Sequence, residues 1–175
     1  MHGSQVFRGQ AAKYLRLRAT SGEVTALNPF PYHEHPLTVL EAELAHLSAD
    51  RLTWRPAAGR NSIGWLLAHM LGTEDFWVHQ LAYGAPVAHP VPQEDAGALL
   101  AEYRRVREET DTRLAVATGE GLERLVTVPA FSDGWTPPCP PTVHWVFHHV
   151  FEHELYHIGQ VSLLLRQQGL APLPF

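Results

Sequence analysis

Five of the twelve histidines in this 175-residue chain, His144, His148, His149, His153 and His157, fall within fourteen consecutive positions. The run FEHELYHIGQ at 151–160 places His153, Glu154 and His157 in the spelling H-E-x-x-H. On a helix that spacing lets two imidazoles share a divalent ion, and in zinc proteases the glutamate activates a bound water. Such a site needs a third protein ligand, which in these proteases follows the motif. Residues 158–175, IGQVSLLLRQQGLAPLPF, contain no His, Asp, Glu or Cys. Gln160 and Leu163 stand where the extended pattern H-E-x-x-H-x-x-G-x-x-H requires Gly and His. The protease reading fails, and the third ligand has to come from upstream.

A helical wheel separates the clustered histidines. With His153 at zero, His149 falls at about −40°, His157 at about +40° and Gln160 at about −20°, with Val146, Leu164 and Val150 between about +20° and +60°. His144 and His148 point to the opposite face. Three imidazoles at i, i+4 and i+8 on an apolar face are hard to satisfy without a shared ligand, and neutral imidazole suits zinc and neighbouring transition metals. Upstream, the strongest candidate is His69 in SIGWLLAHMLGTEDFW, whose face also carries Ser62, Trp65, Leu66, Thr73, Phe76 and Gln80. His79 falls about 80° from His69, at a helix edge. His33, His35 and His89 lie in proline-containing stretches and read as exposed, as does His46.

Four elements position these residues. Apolar periodicity predicts helices from about Pro36 to Ala49, from Asn61 or Ser62 to just before Gly84, from about Gln93 to Thr118, and from Thr142 to Gln168. Ser62 and Thr142 are candidate caps, and Gly84 and Gly169 are stops. The links RPAAGR (55–60), GAPVAHPVPQ (84–93) and PAFSDGWTPPCPP (129–141) are rich in Pro and Gly; LERLVTVPAF has room for one short strand. The expected fold is all-α: a four-helix bundle over 35–175, preceded by an N-terminal extension at 1–34. Within that extension QVFRGQAAKYLRLRA is read as a short helix and TALNPFPYHEHP as an extended lead-in.

Composition narrows the function classes. A net charge of −5 and a pI near 6.2 argue against nucleic-acid binding, and the short basic runs KYLRLR and YRRVRE read as solvated helix faces. The single cysteine, Cys139, excludes an intramolecular disulfide and suits a reducing compartment. No signal-peptide core or membrane-spanning stretch is evident, so a cytoplasmic protein without membrane association is expected.

SIGWLLAHMLGTEDFW, the preceding LTWRPAAGRNSIGW and the later HHVFEHELYHIGQVSLLLRQQG together resemble the DinB/YfiT-like family of metal-binding four-helix bundles, over about Pro36 to Leu170. (The DNA polymerase of the same name is unrelated.) The family motif is one histidine in the second helix and H-x-x-x-H in the last; position by position it falls on His69, His153 and His157. The resemblance implies one divalent metal, zinc or nickel, with open positions for water or substrate. It also implies a homodimer. Some relatives transfer low-molecular-weight thiols such as bacillithiol or mycothiol, and others are classed as metal-dependent hydrolases.

Two function classes follow. In the first, the chain is an enzyme: three neutral imidazoles leave the ion's charge uncompensated, which favours a thiolate or hydroxide over its neutral parent. The substrate is then a small molecule. Glu154, the candidate catalytic residue, either acts on bound water, hydrogen-bonds an imidazole or faces solvent. His149 is either a fourth ligand or a proton acceptor, and His149, Gln160 and Tyr156 are the candidates to surround the ligands. Trp65, Phe76, Trp77 and Tyr156 either shape an apolar pocket or pack as core. Cys139 precedes a helix N-terminus, where a thiolate is favoured, but its proline surroundings fit a loop position without a chemical role. In the second class, the chain is a non-catalytic metal- or small-molecule-binding bundle serving a stress response.

Overall fold

The structure is a computed structural model and describes residues 30–174. Its helices are α1 (Glu34–Leu44), α2 (Ala49–Thr53), α3 (Ile63–Glu74), α4 (Ala96–Val116), α5 (Gly119–Glu123) and α6 (Val143–Gln167). A π-helical segment, Asp75–Ala82, continues α3 directly. The four long elements, α1, α3 with its continuation, α4 and α6, pack as the expected bundle. The short helix expected at 5–19 and the lead-in expected at 25–29 lie outside the described residues; the rest of that lead-in, 30–36, is not extended but turns at 31–33 and enters α1 at Glu34. No described helix is long and apolar enough to cross a membrane.

Local chemistry sets the boundaries. Ser62 accepts from Trp65 N, Asp95 from Ala98 N and Thr142 from Trp145 N, so α3, α4 and α6 each begin on a side-chain cap. Gly84 (φ 83°) and Gly169 (φ 75°) take the left-handed turns that follow the π-helical segment and α6. The expected first helix is broken after Leu44 and resumes as α2. The strand expected in LERLVTVPAF is only an isolated bridge, Leu125 to Thr142. The 84–95 connection crosses the start of α3 so closely that a Cβ on Gly64 would lie 2.0 Å from the Gln93 carbonyl oxygen.

The core divides into two apolar clusters. One gathers Leu37, Leu40, Leu66, Met70, Leu99, Val106, Ile158 and Val161; the other gathers Trp77, Val78, Leu114, Val146, Phe147 and Val150. Each fully buried aliphatic side chain contributes about 1.5–3 kcal/mol relative to exposure.

Two expectations from the wheel need correcting. The buried residues of α6 run from Val143 through Phe147, Val150, Phe151, Glu154, His157, Ile158 and Val161 to Leu165. At 100° per residue their centre lies roughly 85° from His153, so His153 sits at the edge of the buried stripe. His79, expected at a helix edge, is fully buried. A π-turn closes with i→i+5 bonds and advances each residue by less than an α-turn, so the wheel of α3 loses its phase beyond Asp75.

Candidate metal centre

His69 on α3 and His153 and His157 on α6 turn toward one another. His153 Nε2 is 3.1 Å from His69 Nε2 and 3.0 Å from His157 Nε2. Two of the three rings have an aromatic neighbour: Trp65, one turn before His69, stacks on it at 4.7 Å and 17°, and Tyr156 stands edge-on to His157 at 5.0 Å. His157 Nδ1 donates to Gln160 Oε1 at 2.9 Å, which leaves the Nε2 lone pair bare. Gln160 thus orients the His157 imidazole, the kind of outer partner that a metal-binding histidine uses.

This arrangement is unsatisfied by protons alone. One hydrogen on His153 Nε2 cannot serve both neighbouring nitrogens, and His157 Nε2 has none to offer. Burial, then the charges of His157, His69 and His149, hold His153 down to about 3; burial and His157 lower His69. Both are therefore neutral, with lone pairs to give, at neutral pH. A divalent ion fits. Nitrogens at 2.0–2.1 Å from zinc stand roughly 2.9 Å apart at right angles and roughly 3.4 Å apart in a tetrahedron, which brackets the observed spacings. The donor set has no carboxylate or thiolate.

His69 and His153 form one end of a cavity of about 640 Å³. Its walls include Gly72, Phe76, Trp77 and His149 from the helices and Phe131, Asp133 and Trp135 from the loop before α6. The rings of Trp77, Phe131 and Trp135 pack against one another at 5.6–6.0 Å. His149 lies outside the converging trio. Its ring is stacked on Trp145 (4.7 Å, 8°) and faces Trp135 (5.9 Å, 29°), and burial lowers its pKa.

Glu154 does not take any of the three places expected of it. The buried stripe of α6 carries it inward, where Oε1 accepts from Tyr103 Oη at 2.8 Å and Arg107 Nη2 at 3.1 Å. Arg107 also donates from Nε and Nη2 to both oxygens of Glu74 at 2.8–3.1 Å. Burial raises the Glu154 carboxyl, with Arg107 opposing; burial disfavours the Arg107 charge too, but Glu74 and Glu154 hold it firmly protonated. A carboxylate held in this way is not placed to act on a ligand of the three imidazoles.

The other histidines sort cleanly. His144 and His148 are exposed on the far side of α6, where both rings meet Phe30. His46 and His89 are exposed, the latter paired with Glu102. His33 corrects an expectation: its side chain is only 6% exposed, bonded to the Phe30 carbonyl and, at 2.6 Å, to Asp111. Cys139 is exposed. Tyr156 is also mostly exposed, and Phe76 and Trp77 line the cavity.

The loop residues Phe131, Asp133 and Trp135 were not found from sequence, although two aromatics in FSDGW amid prolines were the available signal. Glu74, Tyr103 and Arg107 were missed as well. Each is a polar intrusion on an apolar stripe, visible once the stripe is phased.

Comparison with known proteins places this geometry among relatives. A family model described as the DinB superfamily matches residues 33–161. An uncharacterized protein of Bacillus subtilis (strain 168), YizA, is 24% identical over 137 residues, covering 73% of this chain and 77% of that protein. A DinB-like protein from Bacillus cereus ATCC 10987 superposes with a TM-score of 0.62 at 20% identity, over 82% of this chain and 89% of its own. The DinB-like protein YjoA from Bacillus subtilis gives 0.59 at 21% identity, over 83% and 92%. These structural matches establish the shared fold.

Proposed function

The chain belongs to the DinB superfamily, and from that premise we propose that it is a metal-dependent enzyme that joins a low-molecular-weight thiol to a small electrophile. The carrying observation is that the nitrogens of His69, His153 and His157 converge, and that two of these rings, His69 and His153, line an accessible, aromatic-walled cavity. A divalent ion, zinc or nickel, held by three neutral imidazoles keeps its charge and favours the anionic form of a thiol or water.

The protein's own residues do the rest. Gln160 fixes the tautomer of His157 and Trp65 the plane of His69. Trp77, Phe131 and Trp135 exclude water and give an apolar electrophile a surface to pack on. His149, a neutral base on the cavity wall, accepts the proton that the thiol gives up at a ring nitrogen. The thiolate sulfur then bonds to the electrophilic carbon; an addition acceptor takes the proton back, and a substitution acceptor expels its leaving group. Glu154 has no part in proton transfer. The proposal includes a cytoplasmic role in stress response and a homodimer formed through the exposed Leu155, Tyr156 and Leu163 of α6.

The test combines metal analysis with assays of bacillithiol, mycothiol and glutathione against several electrophiles, and separately of ester and amide substrates. Thiol conjugation abolished by chelation supports the proposal. Turnover confined to esters or amides would replace it with a hydrolase. Stoichiometric metal without turnover of either kind would leave a binding bundle, and a monomer in sedimentation would remove the dimer.

A further inference from the structure

The cavity beside the imidazoles has two unlike ends. At one stand His69 and His153; at the other stands the loop before α6, with Phe131, Asp133 and Trp135. Trp135 faces His149 at 5.9 Å and His149 lies 6.0 Å from His153, so two ring contacts join the ends. The loop end holds itself together. Gly134 N donates to the Phe131 carbonyl at 3.0 Å, Trp135 N donates to Asp133 Oδ1 at 3.0 Å, and the Phe131 and Trp135 rings meet at 5.6 Å and 68°.

The chemistry of that end is one-sided. The lining contains a single carboxylate, Asp133, and no Glu, Lys or Arg. Asp133 is exposed, and its Oδ2 has no hydrogen-bond or ion-pair partner among the described residues. The faces of aromatic rings carry partial negative charge and attract cations within about 6 Å of their centres. Elsewhere on this chain arginines take that position, Arg107 over Tyr103 and Phe151, and Arg113 and Arg124 over Tyr83. None of those three rings lines the cavity, and among the described residues no basic side chain covers Phe131 or Trp135. A free carboxylate beside such rings favours a positive group and repels a negative one. A neutral occupant gains only packing.

We propose that the loop end is a site for an organic cation: the small molecule taken up here carries an ammonium group, held by Asp133 and the rings of Phe131 and Trp135. Its apolar body then lies along the wall toward the imidazoles. The proposal rests on the reading of this cavity as the substrate site and assigns a positive charge to the electrophile. It does not depend on which ion the imidazoles hold. Anchoring the ammonium at the loop turns the rest of the molecule, with its reacting carbon, toward His69 and His153. Asp133 thus selects and orients the substrate and takes no part in proton transfer.

The probe is benzyltrimethylammonium, whose charge is permanent and whose nitrogen has no lone pair to give a metal. Benzyl alcohol and phenylacetate are its neutral and anionic counterparts. Calorimetric titrations use the full-length protein, zinc-loaded and after chelation. In both forms the cation should bind about tenfold more tightly than the alcohol, as expected of one partly exposed ion pair plus a ring contact. Phenylacetate should bind the chelated protein most weakly of the three. Asp133→Asn keeps the oxygen that accepts from Trp135 N but removes the charge; it should cost the cation about fivefold and the alcohol nothing. Raising salt from about 0.05 M to about 0.5 M should likewise weaken only the cation. Glu108→Gln removes an exposed carboxylate of α4 outside the cavity and should change neither affinity. The proposal is overturned if the cation fails to bind or does no better than the alcohol. It is also overturned if the cation's advantage survives intact in Asp133→Asn, or is lost equally in Glu108→Gln. A protein that takes up no zinc but keeps the preference would remove the metal reading and leave this site standing; thiol conjugation without the preference would do the reverse.

Discussion

Histidines on two sides of this bundle differ in how their ring nitrogens are satisfied. On the α4 side, His79 Nε2 donates to Thr110 Oγ1, which donates in turn to the Val106 carbonyl, and His79 Nδ1 accepts from Arg113 Nε. His33 donates from both nitrogens, to the Phe30 carbonyl and to Asp111, and must therefore carry a proton on each. Every nitrogen there has a protein partner. At the cavity, His69 and His153 offer their Nε2 atoms only to other imidazoles. His79 is the more deeply buried, so burial does not set the cavity trio apart; the convergence of its lone pairs does.

The contrast can be broken most decisively at His153. Replacing it with alanine should reduce bound metal from about one ion per chain to near zero, with helical content retained; metal analysis and circular dichroism check both halves. The corresponding change on the other side, His33→Ala, should leave metal content intact. Gln160→Leu sharpens the claim that the trio is oriented from behind. It should weaken metal affinity by about 10–100-fold, the usual effect of removing a ligand's outer partner, and titration against a chelator would show it.

His33→Ala should act on stability, by about 1–3 kcal/mol, because it leaves Asp111 and a carbonyl without their donor. The His33 pKa is raised: burial, with a smaller push from the Arg107 charge, lowers it, but the hydrogen bonds to Asp111 and Phe30 and the charge of Asp111 together prevail. A raised folded value means that its stabilisation is complete below the ordinary 6.5 and fades as pH rises through the higher folded value. Denaturation of wild type and variant between about pH 6 and pH 9 should show the gap narrowing with pH; a gap that widens contradicts the charged-imidazole account. The smallest effect is expected at His144 and His148. Alanine at both should change neither metal content nor, beyond about 0.5 kcal/mol, stability.

The helices and the three converging histidines were legible because they obey local rules. Ser62 and Thr142 cap where capping residues precede apolar runs, and the four-residue spacing of His153 and His157 puts them on one side of a helix whatever the phase of its buried stripe. What escaped depended on partners from distant parts of the chain. Glu154 was placed among solvent or catalytic options because the stripe of α6 was centred on its histidines. Its true centre is set by contacts from α3 and α4. His79 escaped because the π-segment changes the angular step, and FSDGW because a loop's destination has no periodicity to read. His33 looked exposed beside its prolines, with nothing nearby in sequence to announce Asp111.

The separation of the ligands along the chain has a thermodynamic consequence. His69 and His153 are 84 residues apart. An ion holding both in an unfolded chain would close a loop of that length, at an entropic cost of roughly 4–5 kcal/mol by the estimate used for crosslinks. The unfolded chain would therefore offer an ion only local groups such as the clustered histidines of 144–157, and coordination by His69 together with His153 and His157 would belong to the native state. Free ion at a hundredfold excess over its Kd adds about 2.7 kcal/mol to the unfolding free energy. Metal supply would thus set how long each copy resists unfolding and proteolysis, even in a cell that offers it no substrate.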